Sequence, residues 1–211
     1  TLDRSSAASD VYKRQVVNSR LTAPLFYQLL LGELNIAEGE PGAGYSLILD
    51  AARKQKDEQL FKRAVEIALQ ARSGDAALTA AQSWTQALPD SVEAQRYVLQ
   101  ILLALNRAGE SVPVLRNLIE RSPPAQRSEL IHAIPRTYAR VADKALALRV
   151  VREAVSASLQ QQETAAAAWT TVGRLQLANE QLPQALESAR SGHNMDSASP
   201  FPALLALELM E

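Results

Sequence analysis

The sequence predicts an all-α, right-handed α-solenoid of helix-turn-helix repeats. Three observations carry that prediction. Gly39-Glu40, Gly74-Asp75 and Gly109-Glu110 stand 35 residues apart, Asp143 falls near the next due position, and Asn179-Glu180 follows the third by 70. Pro89 and Pro123 repeat at a spacing of 34. Apolar residues recur at helical spacing, β-branched runs are scarce, and Gly and Pro sit mostly at punctuating positions. A unit of about 35 residues holds two helices and cannot bury its own apolar face, so neighbours must stack.

The elements follow in order. The first helix starts near Thr22 with Pro24 in its first turn, a position that costs no hydrogen bond. Leu25, Leu29, Gly32 and Ile36 mark its packed face, Gly39-Glu40-Pro41-Gly42 ends it, and Tyr45, Ile48, Leu49 and Ala52 mark its partner. The second unit runs through Leu60, Ala64, Ile67 and Ala68 to the Gly74 turn, then through Leu78, Ala81, Trp84 and Leu88 to Pro89. The third covers 92–105, turns at 106–110, and returns over 112–119 to Ser122-Pro123-Pro124. In the fourth, Pro135 stands inside the apolar run Leu130, Ile131, Ile134 and Tyr138, where it predicts a kink or a division of the helix. A well-patterned partner follows over about 144–159. The fifth unit is built around Trp169, and a last segment, 200–210, reads as the first helix of a sixth. Leu204, Leu205 and Leu207 give that end no polar cap.

Residues 1–15 are set apart from this pattern. Residues 5–15 resemble the in-frame translation of a sequencing-library adapter, so 1–15 are expected to be a non-native or disordered leader. The repeat array is expected to span 16–211, with about five repeats truncated at both ends. Any signal peptide or lipid-attachment cysteine is expected upstream.

Composition narrows the function. The formal net charge is −1, and removing Asp3, Arg4, Asp10, Lys13 and Arg14 leaves −2. That balance argues against nucleic acid, whose phosphates need a clustered excess of Lys and Arg. No run of apolar residues is long enough to span a membrane. The lack of Cys excludes disulfides and Cys-ligated zinc, and does not separate periplasm from cytosol. His132 and His193 lie 61 positions apart with no acidic pair at ligand spacing, and no Gly-rich phosphate loop follows a strand. No catalytic set, metal site or cofactor site is expected, and the chain reads as no enzyme. Trp84 and Trp169 read as core residues from their helical spacing.

The fifth unit resembles the tetratricopeptide repeat. Trp169-Thr170-Thr171-Val172-Gly173 supplies its Trp, apolar and Gly positions, and Ala185 follows the Trp by 16 residues. The expected packing has Trp169 filling the gap between two helices while Gly173 and Ala185 let their backbones cross. Gly192 departs from the pattern, which favours Ala there. The resemblance implies a concave groove lined by the first helix of each unit and a protein or peptide partner. The candidate lining residues are Gln59, Lys62 and Glu66, then Arg96 and Gln100, then Arg136 and Arg140, then Thr170 and Arg174. They form a mixed face with a basic bias in its later half. The paired Lys and Asn with which some tetratricopeptide modules grip a C-terminal carboxylate are missing.

At finer grain, residues 25–34, 60–68 and 90–96 are similar to the opening repeats of Gram-negative tetratricopeptide lipoproteins. That group includes outer-membrane adaptors for a periplasmic carboxyl-terminal processing protease. The resemblance implies a periplasmic, lipid-anchored scaffold whose partners are such a protease or its substrates, with membrane attachment only through an upstream anchor. Two alternatives stay open at this point: a scaffold of another envelope assembly, such as a pilus or polysaccharide exporter, and a helical-repeat RNA binder. A cytoplasmic home also stays open.

Overall fold

The computed structural model describes residues 21–210, so the adapter-like stretch lies outside the described residues. Eleven α-helices follow one another, and no strand occurs among the described residues. They are α1 Ala23–Ala37, α2 Pro41–Gln55, α3 Glu58–Gln70, α4 Gly74–Ala87, α5 Val92–Ala104, α6 Val112–Arg121, α7 Pro124–Tyr138, α8 Lys144–Ala154, α9 Gln162–Ala178, α10 Leu182–Met195 and α11 Pro200–Glu208. Short 3₁₀ turns at Ala108–Ser111 and Ser158–Gln160 precede α6 and α9. From α1 to α6 each helix packs on the next, which is the order of an array built from helix pairs. The described residues form five pairs and one further helix. The chain is an all-α solenoid, as the periodicity predicts.

The repeat is visible in the caps. Thr22, Asp57 and Ser91 begin α1, α3 and α5, and the side chain of each accepts from a backbone N–H of the first turn. This satisfies donors that a helix start leaves unpaired. The turn between the helices of a pair repeats as well. Gly39, Arg72, Asn106 and Glu180 each follow their helix by two residues, and each has positive φ, from 55° to 88°. The next N–H then reaches back to close the helix: Glu40 to Asn35, Ser73 to Ala68, Arg107 to Leu102 and Gln181 to Gln176, at 2.8 to 2.9 Å. This is the C-terminal closure in which a left-handed residue turns the chain out of the helix.

That pattern corrects the reading of the glycines. Gly39 does make the left-handed turn, but Gly74 opens α4 and Gly109 lies in a 3₁₀ turn. Arg72 and Asn106 carry the positive φ in their place, so the glycine period follows the turns without marking their hinge residue.

The fourth unit is irregular, and one of the two outcomes expected at Pro135 does not occur. The helix is not divided at Pro135: α7 runs through it to Tyr138. The proline has no N–H to give the carbonyl of Ile131, one turn back. The buried hydroxyl of Thr171, on α9, donates to that carbonyl at 2.7 Å. A side chain 40 residues away thus supplies the missing donor. The closure after α7 is different too. No left-handed residue follows, and Val141 N–H returns to Tyr138 O instead. Helix α7 packs closely on α9 while α8 packs on α6 and α9, so the two helices of this pair stand further apart than those of the others. Tyr138 anchors the end of α7. Its hydroxyl lies 2.6 Å from Ser111 Oγ, which donates to Ala108 O, so the phenol is the donor. Burial pushes that phenol above its ordinary range.

The core has two apolar clusters, and the first, from α2 to α5, contains Trp84, which is fully buried. Its indole stacks on Phe61 of α3, with ring centroids 6.4 Å apart and planes within 5°, and meets Tyr97 of α5 at 5.6 Å. One aromatic group therefore joins three consecutive helices. Trp169 is half-buried and packs against a second apolar cluster, so the core reading of the two tryptophans holds fully for Trp84 and in part for Trp169. Trp169 packs beside Gly192, where an added Cβ would meet Trp169 Cβ at 3.2 Å and Pro202 at 3.1 Å. At Gly173 an added Cβ would stand 3.2 Å from Ser188 Cβ and 3.4 Å from Ala185 O. The α9–α10 crossing is close for the reason anticipated, and Gly192 extends it by another contact. Leu159, expected at the end of α8, lies beyond it in a 3₁₀ turn and is still buried.

Candidate functional site

The first helices of the pairs are α1, α3, α5, α7, α9 and α11. Ion pairs link several of them in sequence. Arg63 on α3 donates two hydrogen bonds to Glu33 on α1, at 2.8 and 2.7 Å. Lys62 reaches the other way, to Glu93 on α5, at 2.8 Å. Arg174 on α9 pairs with Glu208 on α11. These side chains are partly to well exposed, where water screens an ion pair and its net stabilisation is small. They still set the charge of the face. The Arg63 guanidinium holds the Glu33 carboxyl below its ordinary range, and Glu93 raises the Lys62 ammonium.

The nine candidate lining residues fall into three groups. Lys62, Glu66 and Arg174 have intramolecular partners, Glu66 standing 3.9 Å from Arg63. Gln59, Arg96, Gln100, Arg136 and Arg140 are exposed. Thr170 corrects the expectation: it is fully buried and its hydroxyl has no hydrogen-bond partner, so it lines no groove. Its place on α9 turns inward because α7, α10 and α11 all pack on that helix. Arg140 follows the end of α7 instead of lying on it.

The structure brings two candidates together. Gln100 and Arg140 line one depression of about 380 Å³ between the C-terminal ends of α5 and α7. Asn106 and Thr137 add polar groups, and Leu103 and Val141 give it an apolar wall. Asn106, which the sequence marks only as a turn residue, has a left-handed backbone and lines this depression.

His132, which has no acidic pair at ligand spacing in the sequence, sits in a cluster. An Arg174 guanidinium nitrogen lies 3.0 Å from its Nε2, and Phe201 of α11 stacks on its ring at 4.2 Å. Burial, then the Arg174 charge, lowers its pKa, against weaker opposing effects of Glu129 and Glu208. Neutral imidazole accepts from Arg174, and imidazolium cannot. A depressed folded-state value means that this contribution to stability is complete above the ordinary histidine value of 6.5 and is lost as pH falls through the folded value. The expected result is a melting temperature that falls as pH is lowered below 6.5, with a shallower fall in His132→Asn. Parallel drops in the two proteins remove His132 from the pH response. No group of three or more His, Asp and Glu is placed to hold a metal among the described residues, and no described helix is long and apolar enough to cross a membrane.

Apolar surface is concentrated at the two ends of the array. Phe26, Tyr27, Leu30 and Leu34 are exposed on α1, and Leu182, Leu186, Leu204 and Leu207 on α10 and α11. Leu205, grouped with its neighbours from sequence, is instead fully buried.

No protein-family model and no curated protein sequence matches the chain. Among solved structures it is similar to TTC0263, a thermophilic tetratricopeptide protein of Thermus thermophilus, at 16% identity and a TM-score of 0.39, covering 89% of this chain and all of that one. It is also similar to YrrB, described as a tetratricopeptide protein with an unusual peptide-binding site, at 13% identity and a TM-score of 0.41, covering 86% and 90%. MamA from Desulfovibrio magneticus gives 12% identity, a TM-score of 0.44, and coverage of 84% and 98%. The repeat organisation of this chain rests on its own caps, left-handed turns and packing order.

Proposed function

We propose that this chain is a non-catalytic scaffold that binds an extended polypeptide along the face of its first helices. The observation that carries the reading is the depression at the α5–α7 joint, where exposed Gln100 and Arg140 meet an apolar wall in the middle of the array. A rigid, stacked framework holds these groups at fixed spacing, which lowers the ordering cost of binding. His132 is engaged with Arg174 and Phe201, which fits a structural role for it. Placement in the bacterial envelope, and an adaptor role toward a processing protease, belong to the same reading and rest on the lipoprotein resemblance of residues 25–34, 60–68 and 90–96.

Photo-crosslinking tests the reading. A photoreactive residue at Arg96 or Gln100 is expected to capture polypeptides from envelope extracts, and one at the α8 position Arg149 is not. Capture only from Arg149, or a captured species that nuclease destroys, overturns it. Co-fractionation of the natively expressed protein with the outer membrane tests the envelope placement, and recovery in the cytosol rejects it.

A further inference from the structure

The cations on the first helices divide sharply by partner. Lys62, Arg63 and Arg174 each reach a carboxylate on a neighbouring first helix. Arg127 donates to the carbonyls of Ser122 and Glu120 at the end of α6. Arg96, Arg136 and Arg140 are exposed and have no side-chain partner among the described residues. Arg140 lines the depression at the α5–α7 joint, and Arg96 and Arg136 lie on the two helices that meet there. Arg96 stands one turn before Gln100 on α5, Arg136 stands one turn before Arg140, and Gln100 and Arg140 share the depression. No carboxylate among the described residues forms an ion pair with these three. Glu93, on α5, is bonded to Lys62, and Glu129 lies two turns before Arg136, beside His132. The array thus matches charge along its first-helix face except at one joint, and that joint also holds the depression.

We propose that the α5–α7 joint receives an acidic, extended segment of a protein partner, with its carboxylates on Arg96, Arg136 and Arg140 and an apolar side chain against Leu103 and Val141. This rests on the scaffold reading above and names the chemistry of its partner. Guanidinium groups pair with carboxylates through two parallel hydrogen bonds, which gives orientation as well as attraction. A single joint of three cations in a chain of formal net charge −1 suits a short acidic segment better than a phosphate backbone, which needs a long basic track.

Selection of a random dodecamer library displayed on phage, followed by fluorescence polarisation with the selected peptides, tests the proposal. Peptides selected on the wild-type protein are expected to be rich in Asp and Glu. Replacing those acids by Asn and Gln, or using Arg136→Glu with Arg140→Glu, is expected to weaken binding at least tenfold, and added salt to weaken the parent pair. Because the amide peptides are measured on unaltered protein, this arm does not depend on the variant's folding. Neutral or basic peptides that bind the double variant as well as the parent overturn the acidic assignment and leave the scaffold reading standing. Failure to select any peptide overturns both. Displacement of a selected peptide by a single-stranded RNA dodecamer or phosphatidylglycerol vesicles at lower concentration than by unlabelled peptide also overturns it.

Discussion

Trp84→Ala is expected to remove about 3–5 kcal/mol of stability, the usual loss when a large buried aromatic is deleted from a packed core. For a chain of this size that corresponds to a fall in melting temperature of roughly 6–20 °C. The reason lies in what the indole joins. It stacks on Phe61 from one side and meets Tyr97 from another, so the cavity left by alanine opens between α3, α4 and α5 at once. Trp84→Phe is expected to cost much less than the alanine change. It keeps an aromatic surface against Phe61 and removes Nε1, which is buried and has no hydrogen-bond partner. Trp169→Ala is expected to cost less than Trp84→Ala, because Trp169 is only partly buried where it packs on the second apolar cluster. Thermal unfolding of the three variants ranks them. A Trp84→Ala protein that melts with the parent, or below which Trp169→Ala falls, contradicts this account of the core.

Local chemistry explains how much of this fold was legible in the sequence. Helix starts at Thr22, Asp57 and Ser91 carry side chains that cap, and prolines at Pro24, Pro41 and Pro113 sit within the first turn of their helices. Such signals act over a few residues and can be read along the chain. The turn hinges were less legible. Arg72 and Glu180 adopt a left-handed backbone that nothing in their side chains announces, and the visible glycines lie elsewhere in two of the four turns. Burial was harder still. Thr170 and Arg174 fall one turn apart on α9, and only the packing of α7 and α11 against that helix decides that one is enclosed and the other reaches Glu208. The candidate site shows the same limit. Residue types give a mixed polar face, but which cations are already paired depends on side chains 30 to 34 residues away, as in Glu33–Arg63 and Arg174–Glu208. The surplus charge of Arg96, Arg136 and Arg140 emerges only after those pairs are drawn.

The contact between Thr171 and Ile131 gives the last expected result, and the adjacent threonine supplies its control. Thr170 and Thr171 are both fully buried, but only Thr171 has a partner. Thr171→Val leaves the Ile131 carbonyl with neither a helix donor, which Pro135 cannot provide, nor a side-chain donor. An unpaired buried acceptor costs about 1–3 kcal/mol, and that is the loss expected. Thr170→Val removes a hydroxyl that bonds to nothing and is expected to be neutral or slightly stabilising. A shape effect of valine on α9 would act at both positions, so the difference between the two variants isolates the hydrogen bond. The stronger test changes the other side of the contact. Pro135→Ala restores an N–H to α7 within reach of Ile131 O, so in that background Thr171→Val is expected to lose most of its effect. The double-mutant cycle should give a coupling of about 1–2 kcal/mol between two residues on different helices. Equal losses from Thr171→Val with and without Pro135 would mean that the hydroxyl serves packing alone. They would leave the continuity of α7 through its proline to be carried by the surrounding apolar contacts of Ile131, Ile134 and Tyr138.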